Sequence, residues 1–200
     1  MNFPFEENIL LENDRVKLRP INLSDITNLQ QVATQEIGEV SFSFSPLPTD
    51  IELLTNFVKK GIENRNNRFR YTFVIYDKKL QAYAGSTSFL NISESNETVE
   101  IGSTWYGKPY RKTGLNRNCK YLLLDFAFSQ LKVQRVEFKT DERNVISRNA
   151  IEKLGARYEG TLRKHMKTYE GFQRNTVYYS ILPEEWVTLK PHFLENKNPK

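Results

Sequence analysis

Cysteine is almost absent from this chain, which carries only Cys119 among its 200 residues. One thiol excludes an intrachain disulfide and a zinc site built from cysteines. Histidine is nearly as scarce, with two residues, and no cluster of histidine, cysteine and carboxylates has the spacing of metal ligands. The sequence therefore predicts no metal site, and the lone cysteine suits a reducing compartment.

Long hydrophobic runs are also missing. The longest are only a few residues, as at 121–124, whereas a membrane-spanning helix needs about 20. The N-terminal stretch lacks the basic segment and the apolar run of a secretion signal. We therefore expect a cytoplasmic protein that makes no contact with a membrane.

Aromatic residues, in contrast, are plentiful, and the 13 Phe and 10 Tyr can build a substantial core. The expected organisation is one domain over residues 1–200, with an N-terminal arm at 1–14 and a flexible tail at 194–200. A net charge of +5 suits either a nucleic-acid binder or an enzyme with an anionic cofactor. Acidic residues are interspersed among the basic ones, so nucleic acid is not the expected partner. The assembly is expected to be a monomer or a homodimer.

Hydrophobic periodicity and turn residues divide the chain into strands and helices. The order is one strand, two helices, three strands, a helix, a strand, a helix and two strands, with a short helix last. This order predicts an α/β fold with a mixed seven-stranded sheet flanked by helices, in which the crossovers are right-handed.

The most informative stretch is 105–128, where a strand enters a loop with Gly107, Pro109 and Gly114 and an apolar helix leaves it. Backbone N–H groups at a helix start have no partner inside the helix and face whatever lies before it. Cations oppose the helix dipole at this end, yet four lie in or just after the loop: Arg111, Lys112, Arg117 and Lys120. The combination is typical of a phosphate site.

Three stretches, each weak alone, occur in a specific order and at specific distances: 99–102, 111–116 and 144–155. On these residues the chain resembles the GNAT superfamily of acetyl-CoA-dependent N-acetyltransferases, from residue 15 to about residue 186. Within it, the chain is similar to the branch of ribosomal-protein N-terminal acetyltransferases. The resemblance implies the GNAT acyl-CoA N-acyltransferase fold, with a splayed strand pair beside a bulged strand. Gly102, inside an otherwise strong strand, indicates such a defect independently.

By this resemblance, acetyl-CoA serves as co-substrate. Its pyrophosphate is expected on the backbone of the loop, which comprises Arg111, Lys112, Thr113, Gly114, Leu115 and Asn116. The pantetheine arm is expected beside Trp105 and Tyr106. The chain departs from the family at Asn116, where a small residue is usual, so that side chain either crowds the phosphate or caps the helix.

The resemblance also implies roles at the next strand end. Asn144 is expected to hold the pantetheine amide, and Ser147 to give a hydrogen bond to the sulfur, although either residue could serve only as a helix cap. Many family members have a tyrosine seven residues after this asparagine, and here that position is Ile151. The usual acid for the leaving thiolate is therefore absent.

An ammonium acceptor must lose a proton before it attacks, and a carboxylate can take that proton directly or through water. Glu100, two residues before Gly102, is the predicted base. Two alternatives remain open, namely that Glu100 is a structural ion-pair partner and that water alone removes the proton. A backbone N–H freed at the strand defect would stabilise the developing oxyanion.

The sequence thus predicts an N-acetyltransferase that moves an acetyl group from acetyl-CoA to a primary amine by direct transfer. The acceptor stays open between a protein N-terminus and a small amine, including an aminoglycoside or a polyamine. The alternative is a non-catalytic acyl-CoA-binding sensor or scaffold of the same fold. The acceptor groove is expected between loop 41–48 and the strands that carry His165 and Tyr178, and Glu36 and Glu39 are candidates to attract the amine.

Overall fold

The structure, a computed structural model, describes residues 1–33 and 47–195, with side chains through Phe193. The described residues form eight strands: β1 (Leu11–Glu12), β2 (Val16–Pro20), β3 (Tyr71–Asp77), β4 (Ala82–Ser93), β5 (Thr98–Tyr106), β6 (Arg135–Asp141), β7 (Arg157–Lys167) and β8 (Gln173–Ile181). They also form five α-helices: α1 (Asp25–Ala33), α2 (Ile51–Asn66), α3 (Leu115–Asp125), α4 (Val145–Glu152) and α5 (Pro183–Glu195). The strands make one sheet in the order β1–β2–β3–β4–β5–β6–β8–β7.

Strands β5 and β6 run parallel, whereas the other neighbouring pairs in the described sheet are antiparallel. Their pairing begins at Thr98 with Arg135 and ends at Glu100 with Glu137. Beyond that point the two strands no longer pair with each other, so they separate toward their C-terminal ends. The predicted splayed strand pair is confirmed.

A β-bulge interrupts β5 just before the gap. Ser88 pairs with Gly102 and Ser86 pairs with Trp105, so two residues of β5 lie opposite one residue of β4. Ser103, within this bulge, has a φ of 48°, in the left-handed region. The defect therefore begins directly after Gly102, where the sequence indicated it.

Two apolar clusters cover the two faces of the sheet. The larger one contains the inward face of α3, including Leu115, Cys119 and Leu123, which are fully buried against the strands. The smaller one lies beneath α1 and α2 and includes Leu54 and Trp105. Helix α3, predicted from the spacing of its apolar residues, ends in a π turn over Phe126–Gln130.

The first 14 residues, expected as an arm, pack into the core and the sheet. Phe3 and Phe5 are buried, and the ring of Phe3 contacts that of Tyr71. Strand β1 pairs with β2, so the sheet has eight strands and the predicted number of seven is wrong. A two-residue strand is too short to show a hydrophobic period in the sequence. At the other end, α5 includes residues 194 and 195 of the predicted tail, and 196–200 lie outside the described residues.

Candidate active site

The candidate site lies at the C-terminal ends of β5 and β6, where the two strands part. A 3₁₀ turn (Lys108–Tyr110), a loop and α3 follow β5, while a turn and α4 follow β6. Because β5 and β6 are parallel neighbours, both helices begin at the same edge of the sheet. Open α/β sheets bind their ligands at this kind of edge.

The loop before α3 presents backbone donors that the protein leaves unused. Lys112 has a φ of 58° and Gly114 a φ of 81°, and left-handed residues in a turn direct neighbouring N–H groups toward a common point. Within the described chain, the backbone N–H groups of Lys112, Thr113, Gly114 and Asn116 have no hydrogen-bond acceptor. The side of Gly114 on which a Cβ would stand has no atom within 4 Å. The loop can therefore receive an anion.

Two other N–H groups of the predicted phosphate loop are engaged. That of Arg111 donates to the carbonyl oxygen of Lys108 at 3.3 Å, which closes the 3₁₀ turn. That of Leu115 donates to Oγ1 of Thr113 at 3.4 Å, a long bond that a competing ligand would displace readily. The free donors of the predicted loop are thus the N–H groups of Lys112, Thr113, Gly114 and Asn116, and its role as a phosphate site stays a prediction.

Two of the four expected cations lie beside the loop. The guanidinium of Arg111 donates from Nε to the carbonyl oxygen of Tyr106 at 3.2 Å, which ties the loop to the end of β5. Lys112 is exposed next to the free N–H groups. Both can add positive potential where the anion would bind.

The other two cations serve elsewhere, so their predicted place beside the anion is wrong. Arg117 donates to the carbonyl oxygen of His192 at 2.8 Å on α5, which turns its guanidinium away from the loop. Lys120 is 6 % exposed, and its Nζ donates to Oγ1 of Thr104 at 2.7 Å and reaches that of Thr87 at 3.4 Å. Helical spacing explains the difference, because the side chains of Arg117 and Lys120 project from α3 in other directions than toward the loop that precedes the helix.

Asn116 does not cap the helix. Gly114 occupies the N-cap position, so the capping alternative is wrong. The Asn116 side chain instead accepts a hydrogen bond from the Tyr106 hydroxyl at 3.1 Å through Oδ1. Burial, with smaller contributions from Cys119, raises the pKa of this phenol, so it remains a donor. The departure from the family pattern therefore secures the end of β5 to α3.

Trp105 and Tyr106 point to opposite faces of β5. Trp105 packs edge-on against Phe57 of α2 at 6.0 Å between ring centroids, whereas Tyr106 reaches α3. Since β6 has already diverged at this level, one edge of the β5 backbone has no strand partner there. Any contact with an extended ligand arm along this edge would come from backbone groups as well as from these side chains.

Asn144 and Ser147 lie across the gap from the loop, at the start of α4. Oδ1 of Asn144 accepts the backbone N–H of Ser147 at 3.0 Å, which makes Asn144 the N-cap of α4. The capping alternative is therefore realised for Asn144, although its Nδ2 has no acceptor among the described residues. Ile151 is buried in the core and supplies no acid, as the sequence predicted.

Glu100 lies at the last paired position before the strands part, and it is 7 % exposed. One carboxylate oxygen, Oε2, holds both of the close partners: Lys139 Nζ at 3.0 Å and Asn91 Nδ2 at 2.6 Å. The alternative of a structural ion pair is thus observed for this oxygen. An oriented carboxylate of this kind does not need to reorganise when a substrate arrives.

The second carboxylate oxygen of Glu100 is arranged differently. Oε1 lies 3.1 Å from the place where a Cβ on Gly102 would stand, so the missing side chain makes room for it. No donor among the described residues contacts Oε1, and it is not one of their buried unpartnered atoms. It lies beside the bulge, and no described donor occupies it.

The sequence did not identify the residues around Glu100. Lys139 lies between the carboxylates of Glu100 and Glu137, with its Nζ 4.8 Å from the ring centre of Tyr178. Burial lowers the pKa of Lys139, but the two carboxylates outweigh it and the net shift is upward. The alternation of charged residues along β6 was visible, whereas pairing with β5 and β8 could not be read from it.

The predicted acceptor walls are only partly described. His165 and Tyr178 are neighbours on β7 and β8, with His165 Nε2 3.4 Å from the Tyr178 hydroxyl. Glu36, Glu39 and most of loop 41–48 lie outside the described residues. Tyr178 connects this wall to Glu100 through Lys139, so the acceptor side and the predicted base share one face of the sheet.

The described residues contain neither a candidate metal centre nor a candidate membrane-spanning helix. No three or more histidine, cysteine, aspartate and glutamate side chains in that part of the chain converge as a metal centre would require. None of its helices combines the length and the apolar character needed to cross a bilayer.

Comparison with known proteins agrees with this geometry. The family model of the acetyltransferase (GNAT) domain matches residues 15–157. YdaF of Bacillus subtilis strain 168, provisionally named a ribosomal N-acetyltransferase, is 31 % identical over 113 residues. That match covers 56 % of this chain and 59 % of YdaF, which is less than two thirds of the relative's length.

Solved structures extend the similarity over nearly the whole chain. A GCN5-related N-acetyltransferase from Brucella melitensis has a TM-score of 0.88 at 26 % identity, covering 96 % of this chain and 87 % of its own. The microcin C7 self-immunity acetyltransferase MccE, solved with acetyl-CoA and AMP, has a TM-score of 0.72 at 22 % identity. The match covers 85 % of this chain and 93 % of MccE, and at this identity it shows that the two proteins share a fold.

Proposed function

Because this chain belongs to the GNAT acetyltransferase family, we propose that it transfers the acetyl group of acetyl-CoA to a primary amine by direct attack. The acceptor is a protein N-terminus or a small amine. Relatives named N-acetyltransferases and a neighbour of the same fold solved with acetyl-CoA support the donor and the reaction class.

One observation carries the proposal: β5 and β6 part directly beside a loop in which four backbone N–H groups have no partner in the described chain. A continuous sheet would leave no room for an extended thioester between the strands. A loop bonded to itself would give the diphosphate no donors. Both requirements are met at the same edge of the sheet.

The residues present fit acetyl-CoA. The N–H groups of Lys112 to Asn116, with Arg111 and Lys112 beside them, would hold the pyrophosphate. The unpaired edge of β5 and the free Nδ2 of Asn144 would hold the pantetheine arm. When bound, acetyl-CoA supplies an activated thioester carbonyl.

Three groups of the chain would act on the reaction. Oε1 of Glu100 takes the proton that the ammonium must lose before its nitrogen attacks, while Lys139 and Asn91 hold the other carboxylate oxygen. After the N–C bond forms, the nitrogen loses its second proton to solvent. A backbone N–H released at the Ser103 bulge donates to the carbonyl oxygen. The Ser147 hydroxyl gives a hydrogen bond to the sulfur as the C–S bond breaks, and solvent protonates the released thiolate.

Binding and turnover test the proposal separately. Calorimetric titration with acetyl-CoA should show one binding site. A panel of amines and peptides analysed by mass spectrometry should contain products about 42 Da heavier, the mass added when an acetyl group replaces a hydrogen atom. Desulfo-CoA, which keeps the pyrophosphate, serves as a binding control. No binding of either nucleotide would contradict the proposal.

A non-catalytic acyl-CoA sensor is the second candidate, and the buried Ile151 in place of the usual tyrosine favours it. A sensor would bind acetyl-CoA as tightly as an enzyme does. It would release no thiol above the spontaneous rate with any acceptor, and this result would replace the proposed transfer by sensing.

A further inference from the structure

Arg70 is a buried and incompletely satisfied cation on the face of the sheet that carries Glu100. It lies between α2 and β3, and its Nε donates to Ser88 Oγ at 3.0 Å, which places the guanidinium over β4. Its Nη2 is buried and has no hydrogen-bond partner among the described residues. Burial lowers the pKa of Arg70 to about 10, against the opposing effect of Glu100, so the side chain remains a cation at neutral pH.

A second unpartnered donor lies on the same face. Ser86 and Ser88 are two residues apart on β4, so their partners on β5, Trp105 and Gly102, share that face. Nε1 of Trp105 is buried and, like Nη2 of Arg70, has no acceptor in the described part of the chain. Both atoms are donors, so the group that would satisfy them is an acceptor of hydrogen bonds.

The described carboxylates around Glu100 on this face are paired with cations. Glu137 is held by Arg135 and Lys139, and Asp141 by Arg143. Glu100 has Lys139 at 3.0 Å, and it also interacts electrostatically with Arg70 and with Arg174, as shown by its effect on their pKa values. Each of these described carboxylates thus has a cationic partner, so the unpartnered donor of Arg70 favours an anionic group over a cationic one.

We propose that the acetyl acceptor carries a carboxylate near its amine, and that Arg70 binds this carboxylate while the amine faces Oε1 of Glu100. This inference rests on the proposed function and narrows its acceptor. It excludes polyamines and aminoglycosides. It is satisfied by a free amino acid or by a peptide whose first residue is acidic, since both place a carboxylate a few bonds from the amine.

Matched acceptor pairs test the inference. Glycine is compared with glycinamide, and a tripeptide amide that begins with aspartate with one that begins with asparagine; spermidine represents the polycations. The wild-type kcat/KM should favour the acid in at least one pair by about tenfold or more, as expected for a charge-assisted hydrogen bond. The pair that shows the preference identifies the source of the carboxylate. Equal use of acid and amide in both pairs, or spermidine as the best acceptor, would overturn the inference.

Two variants separate recognition from folding. Arg70→Gln should reduce the preference for the acid to within about twofold while acetyl-CoA affinity is unchanged. Arg68→Gln removes an exposed cation two residues away, which pairs with Glu6 and Glu94, and should leave the preference intact. If Arg70→Gln slows acid and amide equally, the residue is structural and the inference is wrong.

A binding measurement keeps the inference testable without turnover. The CoA-bound protein is titrated with N-acetylglycine, with the N-acetylated aspartyl peptide, and with the neutral amide of each. One of the acids should bind, its amide should not, and Arg70→Gln should abolish the difference. Failure of both acids to bind would overturn the inference, whereas failure of acetyl-CoA to bind would overturn the proposed function.

Discussion

The two ends of strand β5 are built in opposite ways. At its start the strand is paired with β6, and Glu100 is held by Lys139 and Asn91. At its end the strand leaves β6, and the loop that follows exposes backbone N–H groups without partners in the described chain.

Under the proposed function, these two ends let one strand serve both cofactor binding and proton transfer. Donors that wait for a ligand must stay unpaired, which costs stability until the ligand arrives. A proton acceptor needs a fixed orientation, so one of its oxygens is bonded and the other is left open. The bulge at Ser103 lies between the two regions and lets the backbone change from one state to the other.

Removing the carboxylate of Glu100, at the paired start of β5, should have the largest effect on turnover. Glu100→Gln keeps the shape and the contact with Asn91 but cannot accept a proton, so kcat should fall about 100-fold or more. Acetyl-CoA affinity by calorimetry should not change. The control is Glu137→Gln, which also removes a partner of Lys139 but has no open oxygen beside Gly102. An unchanged kcat in Glu100→Gln would assign deprotonation to water.

Lys120, the buried cation whose Nζ donates to Thr104 of the bulged strand, allows a test of how stability depends on pH. Burial lowers the pKa of Lys120 from 10.5 to about 8, so between these values the unfolded chain binds more protons than the folded one. The free energy of unfolding should therefore rise with pH across this window, by at most about 3 kcal/mol. Lys120→Met should lack this rise when urea unfolding is followed from pH 7 to pH 10. Parallel curves for the two proteins would contradict the assignment.

Backbone strain in the loop that follows β5 should weaken acetyl-CoA binding without unfolding the protein. Gly114→Val places a β-branched residue at a φ of 81°, where the surrounding space is free but the conformation is unfavourable, so the loop should change shape. Acetyl-CoA affinity should fall about 30-fold, equivalent to about 2 kcal/mol. Gly171→Val has the same strain at a φ of 87° in the β7–β8 turn and should leave affinity unchanged. Equal loss in both variants would indicate a general effect on folding.

The smallest effect is expected where β5 is fastened to α3. Asn116→Ala removes the acceptor of the Tyr106 hydroxyl and should cost about 1 kcal/mol of stability. Acetyl-CoA affinity should change less than about threefold, because the Asn116 side chain is engaged by the Tyr106 hydroxyl. A clear gain in affinity would show that Asn116 crowds the pyrophosphate.

Local patterns in the sequence predicted most of the fold and half of the site. The loop at 107–114 and the start of α3 were predictable because glycines, a proline and an apolar helix mark them within a few residues. The strand defect was predicted from the family resemblance and indicated independently by Gly102. Strand β1 was not, because Leu11 and Glu12 gain their structure from pairing with β2.

The other half of the site depends on contacts between distant parts of the chain. Arg70, Asn91 and Lys139 meet around Glu100 only because β3, β4, β5 and β6 are neighbours in the sheet. Lys120 was expected to face the loop, and only the crossing of α3 over the bulge shows that it does not. Register and helix rotation are set by packing, which one sequence does not reveal.

Cys119 has a practical consequence for measuring turnover. The thiol is fully buried on α3, and burial raises its pKa to about 12, so almost none of it is the reactive thiolate at neutral pH. A thiol-specific dye added to the native protein should therefore report released CoA with little background from the enzyme. The same dye would also measure the rate at which the core opens, because Cys119 can react only after α3 separates from the strands.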